Sequence, residues 1–303
     1  MTWIELSLAG GCLQTARNAL SKSLVGQISP TLNSWSRFAF NLPLSTLLML
    51  SLLVWVGVPR LSPPFFAYCA VTAVAQLLGN IALVSAFRHA NFAETIVLHK
   101  LEVVFTALVG VLFFAEAPSS LGWVGVVLCG AGVVLMNLGR QGGPQGWRRA
   151  FHLSSGPLLA LLCAVLLVLA SFMLKSASAQ FVLANPSVGS ERFTPAVHTL
   201  FHTTWMEVVI LTVTLVLTRP QEFRLVSSHW RRMAMIGAVS FSGSLCWFWA
   251  YALTLVAYSK AVGQIEAVLA LILALLVWRE REVLRQLPGV FIVLVGIGMV
   301  LLG

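Results

Sequence analysis

The chain has 303 residues, of which 58% are apolar and only 10% charged; soluble domains carry about 25% charged residues, so a soluble globular fold is excluded. The net charge of +9 does not indicate nucleic-acid binding, because the basic residues cluster in connections between apolar runs, where they set membrane topology. The apolar runs are continuous, and a bilayer core about 30 Å thick needs about 20 residues of helix. The sequence therefore predicts an all-α integral membrane protein of about ten transmembrane helices.

Ten predicted spans follow one another along the chain, with prolines between them or at their edges. A basic connecting loop at 141–154 separates a first half, residues 1–140, from a second half, residues 155–303. No stretch between spans is long enough to form a soluble domain. The predicted spans are 3–22, 33–57, 65–87, 92–114, 119–138, 156–175, 195–217, 233–255, 261–278 and 287–302.

Spans one and two carry polar side chains at helical spacing. Gln14, Arg17 and Asn18 share one helix face, and Arg37 and Asn41 share another, so both faces should point into the protein. These polar residues also interrupt the first apolar run, so we expect no cleavable signal peptide. Arginine suits the geometry of carboxylates and phosphates, which predicts an anion-binding role. Two alternatives stay open, because the arginines could instead neutralise buried glutamates or extend to the membrane surface.

Spans three and eight offer further polar groups for a cavity. Gln76 and Asn80 lie four residues apart in span three, and Trp247 follows a group of serines in span eight. Amides and indoles can line a substrate cavity. They serve equally well for hydrogen bonds between helices and for aromatic anchoring at the membrane interface, and both readings stay open.

Spans four and nine carry the charges that the sequence singles out most clearly. Span four has His99, Lys100 and Glu102, and span nine has Gln264 and Glu266. A charge at mid-membrane costs about 2.5–3.5 kcal/mol, so it normally faces a cavity or a partner. We expect the two glutamates to bind a cationic substrate group or to carry protons. The alternative is a structural ion pair, for example between Glu102 and Lys100 or an arginine of span one.

Metal and cofactor sites are not predicted. His198 and His202 lie four residues apart in span seven, with Glu207 beyond, but no third ligand follows at helical spacing, so packing or a proton relay is favoured. The cysteines lie in apolar runs without a CxxC motif and are expected to pack as small apolar residues. No nucleotide fingerprint such as a Walker A motif occurs, so we expect no cofactor and no direct use of ATP. The cysteines are Cys12, Cys69, Cys129, Cys163 and Cys246.

The second half of the chain repeats features of the first. The ends of spans four and nine, Leu101–Glu116 and Ile265–Glu280, each carry two glutamates 14 residues apart. Glycines follow in spans five and ten, where small residues let helices approach closely, and we expect them to pack helices. Five spans per half is an odd number, so the second half must enter the membrane from the opposite side, an inverted repeat typical of alternating-access transporters. The glycines are Gly122, Gly125, Gly130, Gly132, Gly289, Gly296 and Gly298.

Several stretches resemble the EamA-type transporters of the drug/metabolite transporter (DMT) superfamily. They are FFAEAPSSLGWVGVVLCGAGVVLM and WREREVLRQLPGVFIVLVGIGMVLL, which follow the repeated segments, together with TARNALSK and WSRFAFNLP. The resemblance covers nearly the whole chain. It implies a ten-helix carrier whose central cavity is lined by inner helices of both halves. It does not identify the cargo, because the family spans amino acids, sugars, nucleotide derivatives and drugs.

The function predicted from these features is secondary active transport of a small polar or amphipathic metabolite or drug by alternating access, with proton coupling through the buried glutamates left open. The alternatives are a channel or flippase-like scaffold and a membrane-embedded enzyme. The enzyme is disfavoured, because the chain has no aspartate and no nucleophile–base set. The expected partners are a small-molecule substrate, protons and the lipid bilayer, with no nucleic acid; monomer and homodimer both stay open.

The expected location is a bacterial inner (plasma) membrane. Under ten spans, twelve basic residues fall on one side of the membrane and four on the other, the four being Arg60, Lys175, Arg192 and Lys260. The positive-inside rule then places both termini outside the cytoplasm. The family resemblance implies the opposite orientation, with the termini inside, and the conflict stays open.

Overall fold

The computed structural model describes residues 2–89, 99, 101–141, 155–188, 192–276 and 281–303, and all the regular elements in these residues are helices. The all-α prediction is therefore confirmed. Two short 3-10 helices lie at Pro220–Phe223 and Arg281–Gln286. The α-helices are α1 Trp3–Ser23, α2 Pro30–Ala39, α3 Leu42–Val56, α4 Pro63–His89, α5 Glu102–Phe114, α6 Ser120–Gln141, α7 Ser155–Ala184, α8 Phe193–Thr218, α9 Arg224–Leu253, α10 Val256–Val262, α11 Ile265–Leu276 and α12 Leu287–Leu302.

Six helical segments of the described chain are long and apolar enough to cross a membrane. Their outward side chains are large and apolar, as at Trp55, Phe113 and Leu217, which are 86%, 74% and 77% exposed. Apolar side chains at this density on the surface are typical of contact with lipid. The six segments are Pro30–Val56, Pro63–Phe87, Ser155–Ala184, Phe193–Thr218, Pro220–Leu253 and Leu284–Leu302; Glu102–Phe114 and Ser120–Met136 are shorter apolar helices.

The second predicted span is broken into α2 and α3. Pro43 occupies the first turn of α3, where its missing N–H is harmless. A continuous helix would place its ring against the carbonyl of Ala39, the last residue of α2. The break follows from this clash, and it places Asn41 at the junction of the two helices. Two other predicted boundaries are also wrong. Helix α7 ends nine residues after the predicted end of its span, and α9 begins before the predicted start of its span.

The ninth predicted span is also broken, into α10 and α11, which meet at Gly263 and Gln264. The backbone N–H of Gln264 donates to the carbonyl of Ala261, a tight turn that ends α10. Helix α10 begins earlier than predicted and includes Lys260, which is only 4% exposed. The predicted loop position of Lys260 is therefore wrong. The ninth span was predicted to begin at residue 261, which left Lys260 in the preceding connection.

Helix packing joins the two halves of the sequence throughout. Helix α4 lies along α7, α6 along α12, and α1 along α9. Helix α8 contacts α2 and α3, while α5 contacts α7 and α1 contacts α11. Each of these pairs combines one helix from residues 2–141 with one from residues 155–303. Most helix contacts in the interior therefore join the two halves.

Glycines allow the backbones of α6 and α12 to touch. A Cβ atom added at Gly296 would lie 2.8 Å from the carbonyl oxygen of Gly125, and one at Gly132 would lie 2.7 Å from that of Gly289. These distances are shorter than carbon–oxygen contact permits, so only glycine fits. The predicted packing role is confirmed at these four positions. It is wrong for Gly298, where an added Cβ would meet open space.

Candidate functional site

The described residues bury six charged side chains, three of each sign. Each is at most 8% exposed. Their formal charges cancel, which reduces the cost of placing them among apolar helices. The cations are Arg17, Arg37 and Lys260, and the carboxylates are Glu102, Glu207 and Glu266.

Glu266 on α11 is held by the polar face of α1. Gln14 Nε2 donates to one carboxylate oxygen and Asn18 Nδ2 to the other, both at 2.9 Å. Arg17 lies beside them and donates from Nε and Nη2 to Asn18 Oδ1, at 3.2 and 2.8 Å. Asn18 therefore connects the guanidinium to the carboxylate. The inward orientation predicted for this face is observed, and its contact is with the second half of the chain.

Glu102 on α5 forms a buried ion pair with Lys260 on α10, with 3.2 Å between Oε2 and Nζ. The same ammonium donates to the carbonyl of Leu167 on α7 at 3.4 Å. Sequence reasoning did not consider this pairing, since Lys260 had been placed in a loop. A signal was available, because the stretch around Lys260 has neither a proline nor the cluster of polar residues expected of a connection.

The other predicted residues of spans four and nine lie at the same depth. His99 is fully buried, with Nδ1 3.6 Å from the sulfur of Cys163 on α7. Gln264 is fully buried at the break between α10 and α11. Lys100 lies outside the described residues. The structure thus brings His99 and Gln264 into the interior that also contains the two glutamates.

Arg37 on α2 is bonded within the protein. Its Nη1 donates to Asn80 Oδ1 on α4 at 2.7 Å, and Asn80 Nδ2 donates to Ser34 Oγ at the same distance. Gln76, one turn before Asn80, is 9% exposed. Asn41 Nδ2 contacts Thr204 Oγ1 on α8 at 3.4 Å. The structure therefore does not place Arg37 at the membrane surface, the alternative that its position near the start of the span had left open.

A small cavity lies between α1 and α9, next to this network. Its space for a water-sized sphere is about 10 Å³, room for about one water molecule and far less than the pockets that hold drug-sized ligands. Trp247 Nε1 and Ser240 Oγ at this cavity are buried and have no protein partner. The cavity therefore has donor groups available for a ligand. Its lining residues are Leu13, Gln14, Arg17, Val239, Ser240, Gly243, Ser244 and Trp247.

The two histidines of span seven pack among aromatic rings. The ring of His198 lies 4.7 Å from that of Phe181, and His202 Nδ1 lies 2.8 Å from the carbonyl oxygen of His198. His202 also meets Phe65 edge to face at 5.4 Å. Within the part of the chain that the structure describes, no three His, Cys, Asp or Glu side chains are grouped to hold a metal.

A second ion pair lies at the other end of α5. Glu116 Oε1 is 2.6 Å from Lys175 Nζ on α7, and its Oε2 accepts from the backbone N–H of Val256 at 2.9 Å. Lys175 also donates to the carbonyl of Thr254 at 2.7 Å. This pair is partly exposed and ties the end of α5 to the junction of α9 and α10. The sequence marked Glu116 as a repeated residue without showing its partner.

Comparison with known proteins agrees with a helical membrane protein that has a polar interior. The model of the EamA-like transporter family matches residues 3–138. The predicted resemblance is confirmed for this stretch, which belongs to the EamA-like family of the DMT superfamily. Together with the apolar helices, this match indicates an integral membrane protein.

One solved crystal structure is similar to the chain along its whole length. It covers 99% of this chain and 97% of its own, with a TM-score of 0.67 and 17% sequence identity. At this identity the likeness shows the fold alone. No curated protein matches the sequence significantly.

Proposed function

We propose that the protein is a secondary active transporter of ten membrane-crossing helices, built as two inverted five-helix halves at residues 1–140 and 155–303. The helix contacts support this arrangement. The pair α1 and α9 corresponds to α7 and α4 when the halves are exchanged, and the pair α5 and α7 corresponds to α11 and α1. Helices α6 and α12 contact each other and are counterparts. Such a pattern is expected of two similar halves related by a two-fold axis.

The observation that carries the proposal is the buried polar network between the halves. The bonds from Gln14 and Asn18 to Glu266, and the pair of Glu102 with Lys260, all join one half to the other. Polar contacts can exchange partners when the halves move, whereas a continuous apolar core resists a change of packing. The cavity beside the network has room for about one water molecule, so a substrate site there requires the halves to move apart. The donors at the cavity that have no partner among the described residues favour a substrate with acceptor atoms.

The corrected count of basic residues supports one membrane orientation, which is opposite to the one that the family resemblance implies. Lys260 is buried and is no longer counted, so twelve basic residues lie on one side of the membrane and three on the other. With this distribution the positive-inside rule favours both termini outside the cytoplasm. The proposed location is the plasma membrane of a bacterium. The buried polar network between the halves supports a role for Glu266 in coupling transport to protons.

Transport is tested with purified protein in proteoliposomes. Amino acids, sugars, nucleotides and cationic drugs are first compared for their effect on thermal stability, and the compound with the largest shift is used for uptake. We expect saturable uptake with counterflow. Glu266→Gln should leave expression unchanged. It should lower the rate of uptake about tenfold, the effect of losing about 1.4 kcal/mol of charge-assisted hydrogen bonding. The remaining uptake should depend less on pH.

The matched control is Glu5→Gln, because Glu5 is an exposed glutamate at the start of α1, the helix whose side chains bind Glu266. We expect its uptake to equal that of the parent protein. Uptake that rises linearly with concentration and shows no counterflow would instead identify a channel.

A further inference from the structure

Helices α2 and α8 run in opposite directions along a polar contact. Asn41 contacts Thr204 at 3.4 Å, and Trp35 Nε1 donates to Thr212 Oγ1 at 2.8 Å. Asn41, just past the end of α2, thus meets the lower-numbered residue of α8, and Trp35, within α2, meets the higher-numbered one. Between these two contacts, by position along the two helices, lie Arg37 and Glu207, which carry opposite formal charges.

Glu207 differs from the other two buried carboxylates in its hydrogen bonding. It is 1% exposed, and its Oε1 has no hydrogen-bond partner among the described residues. Glu266 accepts from two amides, and Glu102 accepts from Lys260. An ionised carboxylate with an unsatisfied buried oxygen is costly, whereas a protonated carboxyl group carries no charge to be solvated.

One face of α2, continued by Asn41 at its junction with α3, carries further polar atoms that have no hydrogen-bond partner among the described residues. They are Asn33 Oδ1, Arg37 Nε and Asn41 Oδ1, on side chains that follow one another at intervals of four residues and are at most 8% exposed. Donors and acceptors both occur in this row. Water is the ligand that satisfies such a mixed set, since it both donates and accepts.

Arg37 is the charged group of the described residues that acts on Glu207. Helix α3 has no ionisable side chain, and α4 presents Cys69 close to Thr203, one turn from Glu207. Arg219 and Glu222, at the far end of α8, pair with each other at 3.2 Å. Burial favours the neutral acid, whereas a neighbouring guanidinium favours the ionised carboxylate. The two effects on Glu207 therefore act in opposite directions.

We propose that Glu207 is a proton-binding site that exchanges its proton with water held between α2 and α8. Protonation forms one O–H bond on the carboxylate and removes its charge, so that Arg37 loses its opposing charge; deprotonation returns the proton to water and restores the pair. This deepens the proposed function: the role of protonation in transport rests on the protein being a carrier.

The test is infrared spectroscopy of the full-length protein in lipid nanodiscs, with the proton itself as the probe. Spectra are recorded from alkaline to acidic pH in H₂O and D₂O. We expect a C=O stretching band of a protonated carboxylic acid that grows at low pH and shifts in D₂O. The difference spectrum between the parent and Glu207→Gln should contain one such titrating component. Glu222→Gln, which removes the partly buried carboxylate that pairs with Arg219, should retain this component.

Glu207→Asp serves as the conservative variant, and it should retain a titrating band that shifts in D₂O. The same band in Glu207→Gln and the parent protein would overturn the proposal, as would a Glu207 band that does not change with pH or does not shift in D₂O. Because this measurement needs no transport substrate, its outcome is independent of whether counterflow is observed.

Discussion

Replacing Glu102 with glutamine should lower the free energy of unfolding by about 3–5 kcal/mol, the cost of breaking a buried ion pair from one side. The side chains of Glu102 and Lys260 are only 8% and 3% exposed, so water cannot solvate the ammonium that loses its carboxylate. Lys260→Met should cost a similar amount. The double variant should recover much of the loss, because no charge of the pair is then left behind.

The control for this cycle is the second ion pair, between Glu116 and Lys175. Its side chains are 13% and 28% exposed, so Glu116→Gln should cost much less, about 1 kcal/mol for the partly solvated pair. Unfolding is followed for all variants in the same detergent. If the losses of Glu102→Gln and Lys260→Met simply add in the double variant, the two residues do not interact as the structure shows.

Gly296→Leu should disrupt the contact between α6 and α12. A Cβ alone at this position would lie 2.8 Å from the backbone nitrogen of Cys129 and from the carbonyl oxygen of Gly125. Backbone atoms cannot move aside as a flexible side chain can, so the helices must separate. Overpacking of this kind costs about 1–3 kcal/mol, and we expect a lower melting temperature and a smaller yield of folded protein.

The matched control is Gly298→Leu, which adds the same side chain two residues further along the same helix. An added Cβ at Gly298 meets no atom within 4 Å. Its stability should stay within about 0.5 kcal/mol of the parent protein. Equal losses in the two variants would show that the effect of leucine does not come from the contact of α6 with α12.

Periodicity and proline positions predicted much of the helical fold. Pro30 and Pro63 begin α2 and α4, as their fixed backbone angles favour. The break between α10 and α11 was missed, because glycine within an apolar run predicts neither a bend nor a continuous helix by itself. Lys260 was misplaced for a related reason, since its burial depends on a carboxylate 158 positions away.

The candidate site shows the same limit. Helical spacing placed Gln14, Arg17 and Asn18 on one inward face, but it could not show that Glu266 is what two of them bind. Glu207 was noted only as a residue beyond two histidines, because its importance lies in Arg37 on another helix. Spacing within one helix is visible in a sequence, whereas contacts between helices depend on how the helices pack.

Alternating access itself is tested by labelling a cysteine in the cavity from each side of the membrane. The five native cysteines are first replaced, and Ser244→Cys is introduced, because Ser244 lines the cavity between α1 and α9. Ser178→Cys is the control, since Ser178 is buried against Thr199 and does not line that cavity. A membrane-impermeant maleimide is applied to right-side-out and to inverted vesicles. A carrier predicts labelling of Ser244→Cys from both sides and no labelling of Ser178→Cys. Labelling of Ser244→Cys from one side only, or from neither, would contradict alternating access.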